Sequence, residues 1–132
     1  MIELMDKFLS DNCEVLYECI IGGRPIVKKN TKRFARGKVY YSEKFKIWES
    51  SALSELPAIR DTITEPAILQ LGFLFKDRQG EPDVSNLVEG VQDVLQKAEI
   101  IKDDKLFHHI YAYKLFGVAP CTRVRILSPK RT

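Results

Sequence analysis

At 132 residues, 45% hydrophobic and 30% charged, the chain has enough apolar material for one compact domain and too little length for a second. No apolar run approaches the roughly 20 residues that span a bilayer. The N-terminus alternates charged and apolar residues where a secretory signal would carry an apolar core, so a soluble, cytoplasmic protein without a membrane partner is expected. Cys13, Cys19 and Cys121 are odd in number and form no CxxC pair, which argues against a disulfide framework or a closed zinc site and leaves three reduced thiols in the core or in strands.

The net charge of +3 hides an uneven distribution. Between Glu18 and Glu43 there is no acidic residue, while Arg24, Lys28, Lys29, Lys32, Arg33, Arg36 and Lys38 are all basic. The rest of the chain carries 14 basic and 18 acidic residues. Such a segment suits a polyanion, because Lys and Arg neutralise phosphates and release counterions. A solvated surface loop is the alternative reading of the same run.

In chain order, residues 1 to 9 suggest a short helix with Ile2, Met5, Leu9 and Phe8 toward one side, forming an N-terminal extension ahead of a domain over 10–132. Residues 13 to 21 are rich in strand formers and end at Gly22-Gly23. The basic segment reads as a loop broken by Pro25. Val39-Tyr40-Tyr41 then forms a short strand leading to Ser42, a good helix N-cap. A helix is expected from Glu43 to Leu56, with Phe45, Trp48, Ala52 and Leu56 at helical spacing and Pro57 beyond its end.

Ala67 to Phe75 is apolar enough to be a strand buried on both faces. A polar turn through Gly80 delivers the chain to a helix from about Asp83 to Ala98. At about 100° per residue, Val84, Leu87, Val88, Val91, Val94, Leu95 and Ala98 share its inner side. Asp83, Asn86, Gly90, Asp93 and Lys97 form a stripe along the edge of that face, where carboxylates are held yet still meet solvent. Gly90 is a poor helix former in mid-helix, which points to a close approach of backbone or ligand there. Ile100-Ile101, Leu106 to Phe116 and Arg123 to Leu127 read as strands, followed by a basic tail.

Acidic residues therefore bracket one amphipathic helix, with Asp83 before it and Asp103-Asp104 after it. Taken singly, Asp83 is also a preferred N-cap, Asp93 a solvated helix residue and Asp103-Asp104 a turn between strands. Together with the basic segment they suit phosphodiester hydrolysis, which needs a Lewis-acid metal held by carboxylates and positive surface to hold phosphates.

Pro82-Asp83-Val84-Ser85-Asn86-Leu87, then Gln92-Asp93-Val94-Leu95, then Ala98-Glu99-Ile100-Ile101-Lys102-Asp103-Asp104-Lys105 resemble, in order and spacing, the RusA family of Holliday-junction resolvases. Gly23-Arg24-Pro25, Lys28-Lys29-Asn30 and Val39-Tyr40-Tyr41-Ser42 resemble its upstream loop and strand-to-helix junction, so the likeness covers most of residues 13 to 127. It implies an α+β fold, a mixed sheet flanked by two main helices in a single domain. It further implies a homodimeric endonuclease that binds four-way DNA junctions and cuts them with Mg²⁺ or Mn²⁺, in recombination and repair of phage or prophage type. Carried over by position, Asp83 and Asp104 match the catalytic aspartates and metal ligands. Asp103 is then a ligand or its neighbour, and Asn86 the asparagine that orients a ligand or contacts phosphate.

Two positions depart from the family pattern. Ser85 stands where the motif carries its second aspartate, and Glu89 where many members carry a lysine. Glu89 or Asp93 could restore the carboxylate, and Lys102 or Lys105 the cation. Lys28, Lys29, Asn30, Lys32, Arg33 and Arg36 are the expected contacts to the DNA backbone, joined by Lys102 and Lys105. A branched-DNA-binding module without catalysis is the alternative.

The remaining conspicuous residues read mainly as structural. His108 and His109 point to opposite faces of a strand and do not chelate one ion together. Trp48 with Phe45 reads as helix core. Tyr40 and Tyr41 flank the basic segment and read as packing. Arg123 and Arg125 share one strand face, where phosphate binding competes with a structural role.

Overall fold

The computed structural model describes residues 2–27, 32–35, 38–41, 43–78, 82–117 and 119–129, with side chains described outside 28–42. Three α-helices accompany a four-stranded mixed sheet and a separate two-stranded one. The elements are α1 (Ile2–Asn12), β1 (Cys13–Gly22), β2 (Lys32–Ala35), β3 (Lys38–Tyr41), α2 (Glu43–Glu55), β4 (Ala67–Phe75), α3 (Val84–Lys97), a 3₁₀ turn (Asp104–Leu106), β5 (Phe107–Phe116) and β6 (Cys121–Pro129). This is the expected α+β architecture.

The main sheet runs β1-β6-β4-β5. β6 pairs antiparallel with both β1 and β4, whereas β4 and β5 are parallel. Parallel neighbours cannot be joined by a hairpin, so the chain must return along the sheet, and α3 is that return. This one topological fact sends the two ends of α3 to opposite ends of the sheet.

The core lies between the sheet and helices α2 and α3. Leu69, Leu71, Phe73 and Phe75 of β4 and Val124 and Ile126 of β6 meet Phe45, Trp48 and Ala52 of α2 and Leu87, Val91, Val94 and Leu95 of α3. Period-2 alternation in the strands and a 3.6-residue stripe in the helix converge on one layer. Truncating a fully buried residue such as Phe73 to Ala there costs about 3–5 kcal/mol. Gly90 sits where α3 crosses α2: a Cβ on it would come within 3.3 Å of the Phe45 ring, which is the close approach the sequence suggested.

The other sheet face is more polar, and α1 covers part of it. Leu9, Cys13 and Leu127 form a small second cluster there, with Met5 and Ile68 beside it. Asp6 accepts a hydrogen bond from Gln70 and pairs with Arg123 at 3.4 Å, while Arg125 donates to Ser10 at 3.2 Å and lies 3.4 Å from Glu18. The two arginines are thereby engaged inside the fold, and Arg125 is buried. At Gly72 a Cβ would stand 2.9 Å from the Tyr113 hydroxyl, so this position takes no side chain without moving that ring.

Two local expectations change. The basic segment contains a hairpin, β2 paired antiparallel with β3 from Lys32↔Tyr41 to Ala35↔Lys38: β3 is the expected short strand, and β2 stands where a loop was expected. The charged residues of β2 mask its strand character. β6 extends to Pro129, into the expected basic tail. Ser42, expected to cap α2, lies outside the described residues, as do Lys28, Lys29, Asn30 and Arg36.

Candidate active site

Pro82 precedes Asp83, whose extended backbone (φ −67°, ψ 143°) places it at the N-cap of α3. Its carbonyl accepts the first helical bond, from Leu87 N–H at 3.2 Å. Its carboxylate makes no hydrogen bond to the helix N–H groups and is exposed. Capping therefore does not account for this side chain. Ser85 and Glu89 are exposed and Asn86 is half-buried near the same helix end. From the sheet, Lys114 of β5 reaches across and donates to the Pro82 carbonyl at 3.1 Å.

A cavity of about 310 Å³ lies at this end of the sheet, lined in part by Arg24, Lys44, Ile47 and Trp48. Arg24 is tied to the β4 terminus, 3.8 Å from Asp77 and 5.1 Å from the centre of the Phe75 ring. The start of the basic segment is thus anchored on the same side of the molecule as Asp83.

The opposite end of α3 is built differently. The N–H groups of Ala98, Glu99 and Ile100 bond back to Val94, Gln96 and Leu95 at 2.9–3.0 Å, closing the helix. Glu99 lies in the left-handed region at φ 59°, normally a glycine position, and its carbonyl accepts a 2.7 Å bond from the Thr62 hydroxyl. Ile63 and Ile101 form an isolated parallel bridge, with Ile63 N–H on Ile100 O and Lys102 N–H on Ile63 O. This clamp delivers Asp103 and Asp104 against the last turn of α3, where Asp104 N–H meets Gln96 Oε1 at 3.3 Å.

At that end Asp103 and Asp104 are hydrogen-bonded to each other, within electrostatic reach of Asp93. Asp103 caps the 3₁₀ turn by accepting from Lys105 N–H at 2.9 Å, which holds its carboxyl below the usual range, with the Asp104 hydrogen bond and the Lys105 charge adding to the effect. Asp104 is pushed the other way, first by burial, then by its hydrogen bond to Asp103 and the charges of Asp103 and Asp93. Thr62, Gln96, Glu99, Ile101 and Lys102 line a cleft of about 360 Å³ beside them. Lys102 and Lys105 are exposed there.

Asp103 and Asp104 are therefore brought together, within electrostatic reach of Asp93, while Asp83 and Asn86 stand at the opposite end of α3 and Glu89 lies midway along it. Fourteen residues of α3 at 1.5 Å each separate the ends by about 20 Å. Among the described residues no group of three His, Cys, Asp or Glu side chains is gathered tightly enough to hold a metal ion. Oxygen donors and mutual repulsion at Asp104 suit a hard cation, but each end supplies only part of a ligand shell. Sequence reasoning missed Lys114; its signal was a lysine in the inward series of an otherwise apolar strand.

A family model described as endodeoxyribonuclease RusA matches residues 22–127. The chain belongs to the RusA family. No curated protein matches it. Membership makes it a nuclease-family protein, and the family implies resolution of Holliday junctions. The matched segment contains both acidic ends of α3 and leaves α1 outside.

Proposed function

We propose that this RusA-family protein is a divalent-metal-dependent resolvase of four-way DNA junctions, working as a homodimer in recombination and repair of phage or prophage type. The observation that carries the reading is the pair of acidic ends of α3 within the family match, one with two hydrogen-bonded aspartates and one with a carboxylate that makes no capping bond. Asp104, Asp103 and Asp93 would hold Mg²⁺ or Mn²⁺ at one end and Asp83, oriented with Asn86, at the other. The bound cation supplies Lewis acidity toward the scissile phosphate and activates water.

A 20 Å helix keeps Asp83 and Asp104 of one chain from sharing an ion. A two-fold dimer, which a two-fold junction also calls for, is the arrangement that can bring the Asp83 end of one protomer to the Asp104 end of its partner. Lys102 and Lys105 then serve the DNA backbone beside the carboxylates, and the basic segment with Lys32 and Arg33 on β2 serves the arms.

The test uses a synthetic four-way junction with Mg²⁺, Mn²⁺ or EDTA. Paired symmetric nicks that require metal and vanish in Asp83→Asn and Asp104→Asn support the enzyme. Mixing the two inactive variants should restore cutting if ligands are shared between protomers, and no restoration would place each site within one chain. Junction binding without nicks in any metal favours the non-catalytic branched-DNA module, the reading to which Ser85 and Glu89 lend weight.

A further inference from the structure

Lys114 occupies a place on the sheet that ordinarily takes an apolar side chain. Ala112 and Phe116, two residues away on either side, pack against the main core. Strand alternation puts Lys114 on their face. Its register partner on β4, Phe73, is fully buried. An ammonium on such a face loses hydration and persists only where acceptors replace water. One of its three donors is spent on the Pro82 carbonyl at 3.1 Å, a contact spanning 32 positions of sequence.

That contact falls on the peptide immediately before Asp83. Because the Pro82–Asp83 peptide is planar, fixing its carbonyl also fixes the direction in which the chain enters Asp83. The carboxylate itself has no capping bond to hold it. Lys102 and Lys105, the exposed cations beside Asp104, lie at the other end of the helix and cannot serve here.

We infer that Lys114 is a positioning residue of the Asp83 half-site. It locks the Pro82–Asp83 peptide so that the carboxylate is aimed for metal, and it stands as a fixed positive charge where DNA phosphate arrives. The inference rests on the proposed nuclease activity.

The experiment compares the full-length protein with Lys114→Met and Lys114→Arg. Single-turnover cleavage of a four-way junction is measured across a Mn²⁺ titration, beside junction affinity in EDTA and the melting temperature. Met keeps the length and apolar stem, so Lys114→Met should melt no lower than the parent. It should cut about tenfold more slowly or worse, with a higher half-saturating Mn²⁺ concentration. Lys114→Arg, which keeps a donor and the charge, should recover most of the rate. Cleavage by Lys114→Met within twofold of the parent overturns the inference and leaves the nuclease reading standing. So does a loss that follows a fall in melting temperature with the Mn²⁺ midpoint unmoved. A parent protein that cuts no junction in either metal removes the nuclease reading and this inference with it.

Discussion

At the Asp104 end of α3 two aspartates share a hydrogen bond and feel the charge of Asp93, whereas at the Asp83 end a carboxylate stands exposed with no capping bond. The first end is assembled locally. A left-handed residue, a hydroxyl on its carbonyl, a two-residue bridge and a 3₁₀ turn hold Asp103 and Asp104 over the last turn of the helix. The second end is assembled at long range, by a lysine from β5 gripping the peptide before the aspartate. One end is held by local backbone contacts; at the other, Lys114 of a distant strand bonds the peptide that leads into Asp83. The proposed dimer would pair the two ends between protomers.

The largest expected effect compares the ends directly. Asp83→Asn and Asp104→Asn should each lower single-turnover junction cleavage by about a hundredfold or more if both hold the same ion. A near-normal rate in either would break the symmetry of the two roles. Next comes the rod between them. Gly90→Leu places a side chain against the Phe45 ring, already 3.3 Å from an added Cβ. Urea denaturation should show a loss of about 1–3 kcal/mol from overpacking.

The Asp104 end carries a smaller, opposite signature. Glu99→Gly relieves a non-glycine residue at φ 59° and should stabilise the protein by about 1 kcal/mol. A large loss of cleavage in that variant would give the Glu99 side chain a role at this end. The smallest effect is one of pH. Asp104 holds its proton more tightly folded than unfolded, so its contribution to stability is fullest below the ordinary carboxylate value near 3.9 and declines as pH rises through its raised value. In EDTA the melting temperature of Asp104→Asn should therefore exceed the parent's by a margin that grows across that interval and then levels off.

Much of the scaffold could be read in advance because its signals are local. The stripe from Leu87 to Leu95 and the run from Ala67 to Phe75 each match one period, and both are buried as expected. Phe45, Trp48 and Ala52 likewise face the core. Strand β2 was hidden by charge, since Lys32 and Arg33 look like loop residues unless their pairing with β3 is known. For Arg123 and Arg125, phosphate binding competed with a structural role, and the structural role is the one observed. Their partners Asp6 and Ser10 come from a helix more than a hundred residues earlier, and no spacing rule reveals that.

The amino-acid sequence by itself determined the fold class, the family and the identity of the acids that flank α3. Periodicity, composition and motif order are properties of neighbouring residues and need no knowledge of which segments meet. Only the tertiary structure decided where those acids stand. Because β4 and β5 are parallel, α3 must run the length of the sheet between them, so residues that look like one cluster in the chain are held about 20 Å apart. The same crossing brought Asp103 and Asp104 to the last turn of α3 and Lys114 to the Pro82 carbonyl before Asp83.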